Sequence, residues 1–133
     1  MINHRHLLIL VLLILAVTAP LRALEWDRTQ ISATAERGAD VVRTKFEFKN
    51  TAKNPVHILG VTTSCGCTEA TPTSSNIAPG ERGALEVLFT VGARTGLQEK
   101  EITVLTDDSR VPIKLRLKIT IPTDAPAIPP NKS

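Results

Sequence analysis

Both cysteines of this 133-residue chain stand one residue apart, in Ser64-Cys65-Gly66-Cys67-Thr68. Two thiols at that spacing admit several kinds of chemistry. As a structural disulfide they close a three-residue loop, which contributes only about 1.5 kcal/mol in the chain-entropy account. In an extended strand their Cα atoms would stand about 6.7 Å apart, at the long end of disulfide geometry. A bridge there would be strained, with Gly66 relieving it through a bend closed to other residues. As a redox pair, a strained and exposed bridge is an oxidant for thiol–disulfide exchange in an oxidising compartment. Against that, no helix start follows Cys67 to lower a thiol pKa, and Thr68-Glu69 brings a carboxylate close. As a metal site, two thiolates are soft donors suited to Cu(I), whereas structural zinc asks for four ligands. The plainest reading is a packed turn whose thiols or bridge hold a local conformation. Attachment to a partner through a mixed disulfide is the last.

Little else could do chemistry. The histidines are His4, His6 and His57, and the single methionine is Met1. Once an amino-terminal leader is removed, only His57 remains, so neither a zinc site within one chain nor a Ser-His-Asp set can be assembled. His57 reads as a half-exposed strand residue. No Gly-rich phosphate loop lies between a strand and a helix, tyrosine is absent, and the carboxylates fall on wet strand faces. The expectation is a protein that is not an enzyme, with no firmly assigned metal and no cofactor beyond Cu(I) at Cys65 and Cys67.

The start of the chain has the form of an export signal. His4, Arg5 and His6 precede an unbroken apolar run from Leu7 to Val17. Such a run suits a signal-peptide core and is too short to span a bilayer, which needs about 20 residues. Small residues follow, and the expected cleavage is after Ala23, with the Val17-x-Ala19 site as the alternative. Residues 1–23 are thus a signal peptide, and the protein is expected in the periplasm or secreted. No cysteine near the cleavage zone supports a lipid anchor. Arg5 and Arg22 leave with the leader, so the formal charge falls from +3 to +1. No basic stripe remains for nucleic acid, and Trp26 with three phenylalanines offers little base stacking.

The elements that must position the cysteine pair are strands. Period-two alternation dominates after Leu24, as in Val42-Arg43-Thr44-Lys45-Phe46-Glu47-Phe48-Lys49, Leu85 to Val91, and Val111 to Ile121. Each such run has one dry and one wet face, as antiparallel sheets covered on one side require. Turn chemistry separates the runs, including Ala78-Pro79-Gly80-Glu81, where Pro79 presets φ and Gly80 accepts the positive φ of a type II turn. About seven strands result (24–35, 41–50, 56–64, 67–71, 82–91, 98–106 and 111–121), which points to an all-β, immunoglobulin-like antiparallel β-sandwich over residues 24–121. A small barrel is the alternative. Cys65 and Cys67 are too close to bridge two sheets in the manner of antibody domains. Pro112 cannot donate to a ladder, so it belongs at an edge or among a strand's first residues. The Pro-rich tail, residues 122–133, is expected to be extended and disordered.

These motifs carry a resemblance. Phe46-x-Phe48-x-Asn50-Thr51, Pro55-Val56-x-Ile58-x-x-Val61, Thr63-Ser64-Cys65-Gly66-Cys67-Thr68, Ile77-x-Pro79-Gly80-Glu81, Val87-x-Phe89, Arg94-x-Gly96 and Lys100-x-Ile102-x-Val104-x-Thr106-x-Asp108 are similar to a bacterial family of exported domains of unknown function, number fifteen seventy-three in the usual series. The match covers about residues 41–119. It implies an immunoglobulin-like domain related to the Hydin-like and major-sperm-protein-like sandwiches, with no activity or ligand attached. It transfers only Cys65 and Cys67, as a signature pair. The chain departs from the family in its longer Pro-rich tail and in Asp107-Asp108, where members often carry Asn. The functional expectation is a binding or structural module of the cell envelope. Its partner is an unidentified protein, held by edge-strand pairing along the strand of Pro112 or the strand before Cys65. The alternative is a periplasmic thiol-redox or Cu(I)-handling protein.

Overall fold

Alternating apolar residues give each strand a face that must be buried, and two such sheets bury one another. The computed structural model describes residues 22–123, in which the strands are β1 (Leu24–Trp26), β2 (Gln30–Thr34), β3 (Val41–Asn50), β4 (Val56–Thr63), β5 (Thr68–Pro72), β6 (Asn76–Ile77), β7 (Arg82–Thr90), β8 (Gly96–Thr106) and β9 (Ser109–Ile121). They form a four-stranded sheet, β1-β3-β7-β5, facing a five-stranded sheet, β2-β9-β8-β4-β6. The all-β sandwich expected from the pattern is the observed architecture. Among the described residues no helix is long and apolar enough to cross a membrane. Most of the expected signal peptide and of the Pro-rich tail, residues 1–21 and 124–133, lies outside the described residues.

The strand count differs from expectation for two physical reasons. The single strand expected over residues 24–35 breaks at Asp27-Arg28-Thr29, where the chain changes sheets. β1 pairs antiparallel with β3, Trp26 opposite Phe48, whereas β2 lies parallel to β9, Ile31 opposite Leu117. The sandwich is therefore not wholly antiparallel. The second reason is β6, a two-residue strand that pairs Ile77 with Val56. Pro112 meets its expectation. It is the fourth residue of β9 and precedes the stretch, from Arg116 on, that β2 covers.

The inner faces supply the core. Phe46, Phe48, Leu85 and Phe89 from the first sheet meet Ile102, Leu115, Leu117 and Ile119 from the second, all without solvent exposure. Burying a side chain of this size contributes about 1.5–3 kcal/mol. Phe48 packs on Trp26 with ring centroids 4.8 Å apart. Its ring also lies over Gly83, where a Cβ would come within 2.7 Å of Cε2 and Cζ. The Ala78–Glu81 turn is the expected type II: Gly80 has φ +78° and Glu81 N donates to Ala78 O at 3.0 Å.

The second half of this turn is tied to Asn50, a wholly buried polar residue. Asn50 N donates to Glu81 O at 2.9 Å, and Gly80 N donates to Asn50 O at 2.8 Å. At the amino end, Ala23 is buried with 8% exposure. Its N–H donates to Asp108 Oδ2 at 3.1 Å, and its carbonyl accepts from Thr51 N at 2.8 Å and Thr51 Oγ1 at 3.2 Å.

Candidate functional site at the Cys65–Cys67 corner

β4 belongs to the five-stranded sheet and β5 to the four-stranded one, so the four residues between them carry the chain from one layer to the other. Cys65 and Cys67 lie in this corner and are joined as a disulfide with a Cα separation of 5.3 Å. The distance is shorter than the extended-strand expectation because the segment turns instead of running straight, and it sits within the ordinary disulfide range. Gly66 has no positive φ, and a Cβ added to it would meet nothing within 4 Å. The expected bend closed to other residues is therefore absent: the corner closes with conformations open to any residue. The bridge does not cross the core, but it staples the point where the layers are joined.

The two sulfurs are not equivalent. Cys67 is 7% exposed and belongs to the core, whereas Cys65 is partly exposed and packs against it. Thr68, also buried, places Oγ1 3.6 Å from Cys65 Sγ and 3.8 Å from Cys67 Sγ. A bridged sulfur carries no proton, so the hydroxyl, with its single proton, is the donor to the sulfur it bonds. Thr63 Oγ1 donates to Cys65 O at 2.9 Å and fixes the entry to the turn. Glu69, adjacent in sequence, stands on the outer face of the first sheet, opposite Thr68. While the bridge is closed, Cys65 and Cys67 present no thiolate to Cu(I). Among the described residues there is no group of three or more His, Cys, Asp or Glu that could hold a metal ion.

Next to the corner lies an open edge. β6 pairs only with Val56 and His57 of β4, with Ile58 N donating just beyond them to Ser75 O at 2.8 Å. Further along, Ser64 N donates to Glu101 O on β8 at 2.9 Å. By alternation, Val61 and Thr63 turn their backbone groups the other way, where no strand of the described residues meets them. Of the two strands expected to offer an edge, the one before Cys65 does so over half its length. β9 does so as well over its first half, because β8 flanks its whole length but β2 covers it only from Arg116 on.

Sequence reasoning missed a further feature of this sheet. The β4–β8 register shifts between Ile58 and Gly60, and the β8–β9 register shifts between Val104 and Thr106. The first irregularity turns Leu59 outward and Val111 stands outward beside the second, while Leu105 is outward by the plain alternation of β8, so three neighbouring strands present these side chains at 68%, 59% and 40% exposure. The signal for the first was present: apolar residues fall on even positions at Val56 and Ile58 but on an odd one at Val61.

His57 is engaged at the same end of the sheet. Asp107 Oδ1 accepts from His57 N at 2.8 Å, and Oδ2 lies 2.9 Å from His57 Nδ1. The backbone N–H, and after it the ring, hold the Asp107 carboxyl below the usual aspartate range. A depressed folded pKa means that the contribution to stability is complete above the unfolded value and is lost as pH falls through the folded one. The thermal midpoints of wild type and Asp107→Asn are therefore expected to differ at neutral pH and to converge on acidification below the usual aspartate range. A gap that stays constant with pH would contradict this.

The family Protein of unknown function (DUF1573) matches residues 24–121. The chain belongs to this family. A comparison with curated proteins gave no significant match for this DUF1573 chain. Among solved structures, a protein of unknown function from Porphyromonas gingivalis W83 superposes with a TM-score of 0.64 at 18% identity, over 76% of this chain and 50% of that one. The Pseudomonas aeruginosa CupB2 chaperone gives 0.57 at 14% identity, over 73% and 55%. PapD-like domain 7 of human CEP192 gives 0.54 at 12% identity, over 80% and 93%. The DUF1573 chain thus spans about half the length of the first two. At these identities the likeness is one of fold: a PapD-like, immunoglobulin-like sandwich.

Proposed function

We propose that this DUF1573 protein is an exported, non-catalytic binding module of the cell envelope that takes an extended segment of a partner protein along the open half of β4. The observation that carries this reading is the unpaired backbone edge at Val61 and Thr63 beside the outward-turned Leu59, Leu105 and Val111. Open edges recruit strands through main-chain hydrogen bonds, and adjacent side-chain contacts give selectivity. Exposed apolar groups clustered on one face mark interaction surfaces more often than chance. A chaperone among the fold relatives is in keeping with a protein-binding role. Export rests on the Leu7–Val17 core behind its basic start. No reaction is assigned to Glu47, Glu99 and Glu101, which are ion-paired with Lys45, Lys118 and Lys114 at 3.0, 2.7 and 3.0 Å.

Site-specific photocrosslinking in exporting cells tests the reading. A crosslinker at Leu59 is expected to give a discrete adduct in the envelope fraction, and one at Lys49, on the outer face of the other sheet, is not. Val61→Pro removes an N–H that the domain itself does not use and should abolish the Leu59 adduct while the domain stays folded. Equal adducts from both positions, or a Leu59 adduct indifferent to Val61→Pro, would refute edge docking.

A further inference from the structure

We propose that the Cys65–Cys67 bridge is a thiol–disulfide exchange site of fixed polarity, at which a cysteine thiolate of another protein attacks Cys65 and Cys67 leaves. This goes beyond the binding reading and does not depend on it, since exchange requires no contact with β4. Three observations converge on it. Cys65 is the partly exposed residue of the pair, whereas Cys67 lies at 7% exposure within the core. Gly66 leaves the turn bare, with open space where a side chain would stand and with neither positive φ nor close packing requiring a glycine. Thr68 Oγ1, itself buried, is directed at both sulfurs.

The chemistry follows from access. Exchange proceeds by attack of a thiolate on one sulfur of the bridge, in line with the bond that breaks, so the attacked sulfur must be reachable. Here that sulfur is Cys65. The partner's thiolate forms a bond to Cys65 Sγ, the Cys65–Cys67 bond breaks, and the electron pair goes to Cys67, which departs as a thiolate beside the Thr68 hydroxyl. A second thiolate of the same partner then attacks the partner's own sulfur in the mixed disulfide. It leaves with a disulfide of its own, and the Cys65 and Cys67 pair is reduced. The substrate class is an exposed protein dithiol, and the bridge is the oxidant; run in reverse, a partner disulfide re-forms the bridge. The carboxylate next in sequence does not oppose this, because Glu69 faces the other side of its sheet. A buried thiolate is costly in apolar surroundings, so Cys67 returns readily onto the mixed disulfide and keeps it short-lived in the native protein.

Single-cysteine variants measure the polarity. With oxidised glutathione as probe, the Cys65 thiol of Cys67→Ser is expected to form the mixed disulfide roughly tenfold faster or more than the Cys67 thiol of Cys65→Ser, as differing access predicts. Both variants lose the same short loop, and Cys67→Ser in addition sets a hydroxyl where the core held a sulfur. Wild type offers a second arm free of that cost. Reduced glutathione should open the bridge under native conditions faster than the domain unfolds, and Gly66→Leu, which covers the bare turn, should slow this with an unchanged unfolding midpoint. Equal or reversed rates in the variants, or wild-type reduction only at the pace of global unfolding, would overturn the proposal.

Discussion

Phe48→Ala is expected to lower the stability of the domain by about 3–5 kcal/mol, the range for removing a buried aromatic ring. The site cannot collapse to fill the space. Phe48 is wholly buried, and its cross-strand partner is Gly83, which has no side chain to move in. On its other side stands Trp26, whose ring contact at 4.8 Å would be lost as well. The seat is just as strict in the opposite sense. A Cβ at Gly83 would lie 2.7 Å from the Phe48 ring, so Gly83→Ala should cost about 1–3 kcal/mol through overpacking. Because the two residues share one contact, Phe48→Leu with Gly83→Ala should cost less than the sum of the single changes. Urea unfolding at constant slope checks all of this. For a domain whose total stability is on the order of 5–15 kcal/mol, a loss below about 1 kcal/mol for Phe48→Ala would show that the two layers do not close on this ring.

Asn50→Ala is the second large effect, at about 3 kcal/mol, from stranded polar groups and not from lost volume. The buried amide donates to Asn54 O and Ile77 O, each at 2.9 Å, and accepts from Ala52 N at 2.9 Å. Truncation leaves two carbonyls and one N–H without these partners beneath the turn that links β3 to β4. Asn50→Asp should be worse at neutral pH, since it turns a carboxylate oxygen toward the two carbonyls that the amide nitrogen now serves. Equilibrium unfolding of the two variants gives the ranking. An Asp variant more stable than the Ala variant at neutral pH would contradict the hydrogen-bond assignment.

The contrast between these two residues also marks how far the fold was legible in the amino-acid sequence. Phe46 and Phe48 announce themselves by alternation, as do Leu85, Val87 and Phe89, and the strands built on them lie where the pattern puts them. Asn50 reads as the end of a run, because a side chain that satisfies three backbone groups looks like any turn asparagine until those groups are brought to it. The break after Trp26 was legible in principle: buried positions fall at Leu24 and then at Ile31 and Ala35, so their parity changes across Asp27-Arg28-Thr29. The destination of the chain after the break, parallel to β9, was not, because which sheet a strand joins is decided by tertiary packing. β6 is too short to have a period. At the corner, the residue types of Cys65 and Cys67 were conspicuous from the start. Their asymmetry was not, because exposure depends on the sheet-to-sheet crossing, which leaves no mark in the spacing.

The anchoring of Ala23 bears on how the protein matures. Signal-peptidase cleavage directly after this residue would discard a methyl group lodged in the interior, together with the carbonyl that holds Thr51 and the amide that meets Asp108. Amino-terminal sequencing of the exported protein is accordingly expected to begin upstream of Ala23. Scissile-bond choice would then be coupled to the finished sandwich, with the first residues of the mature chain serving as a clasp across two turns.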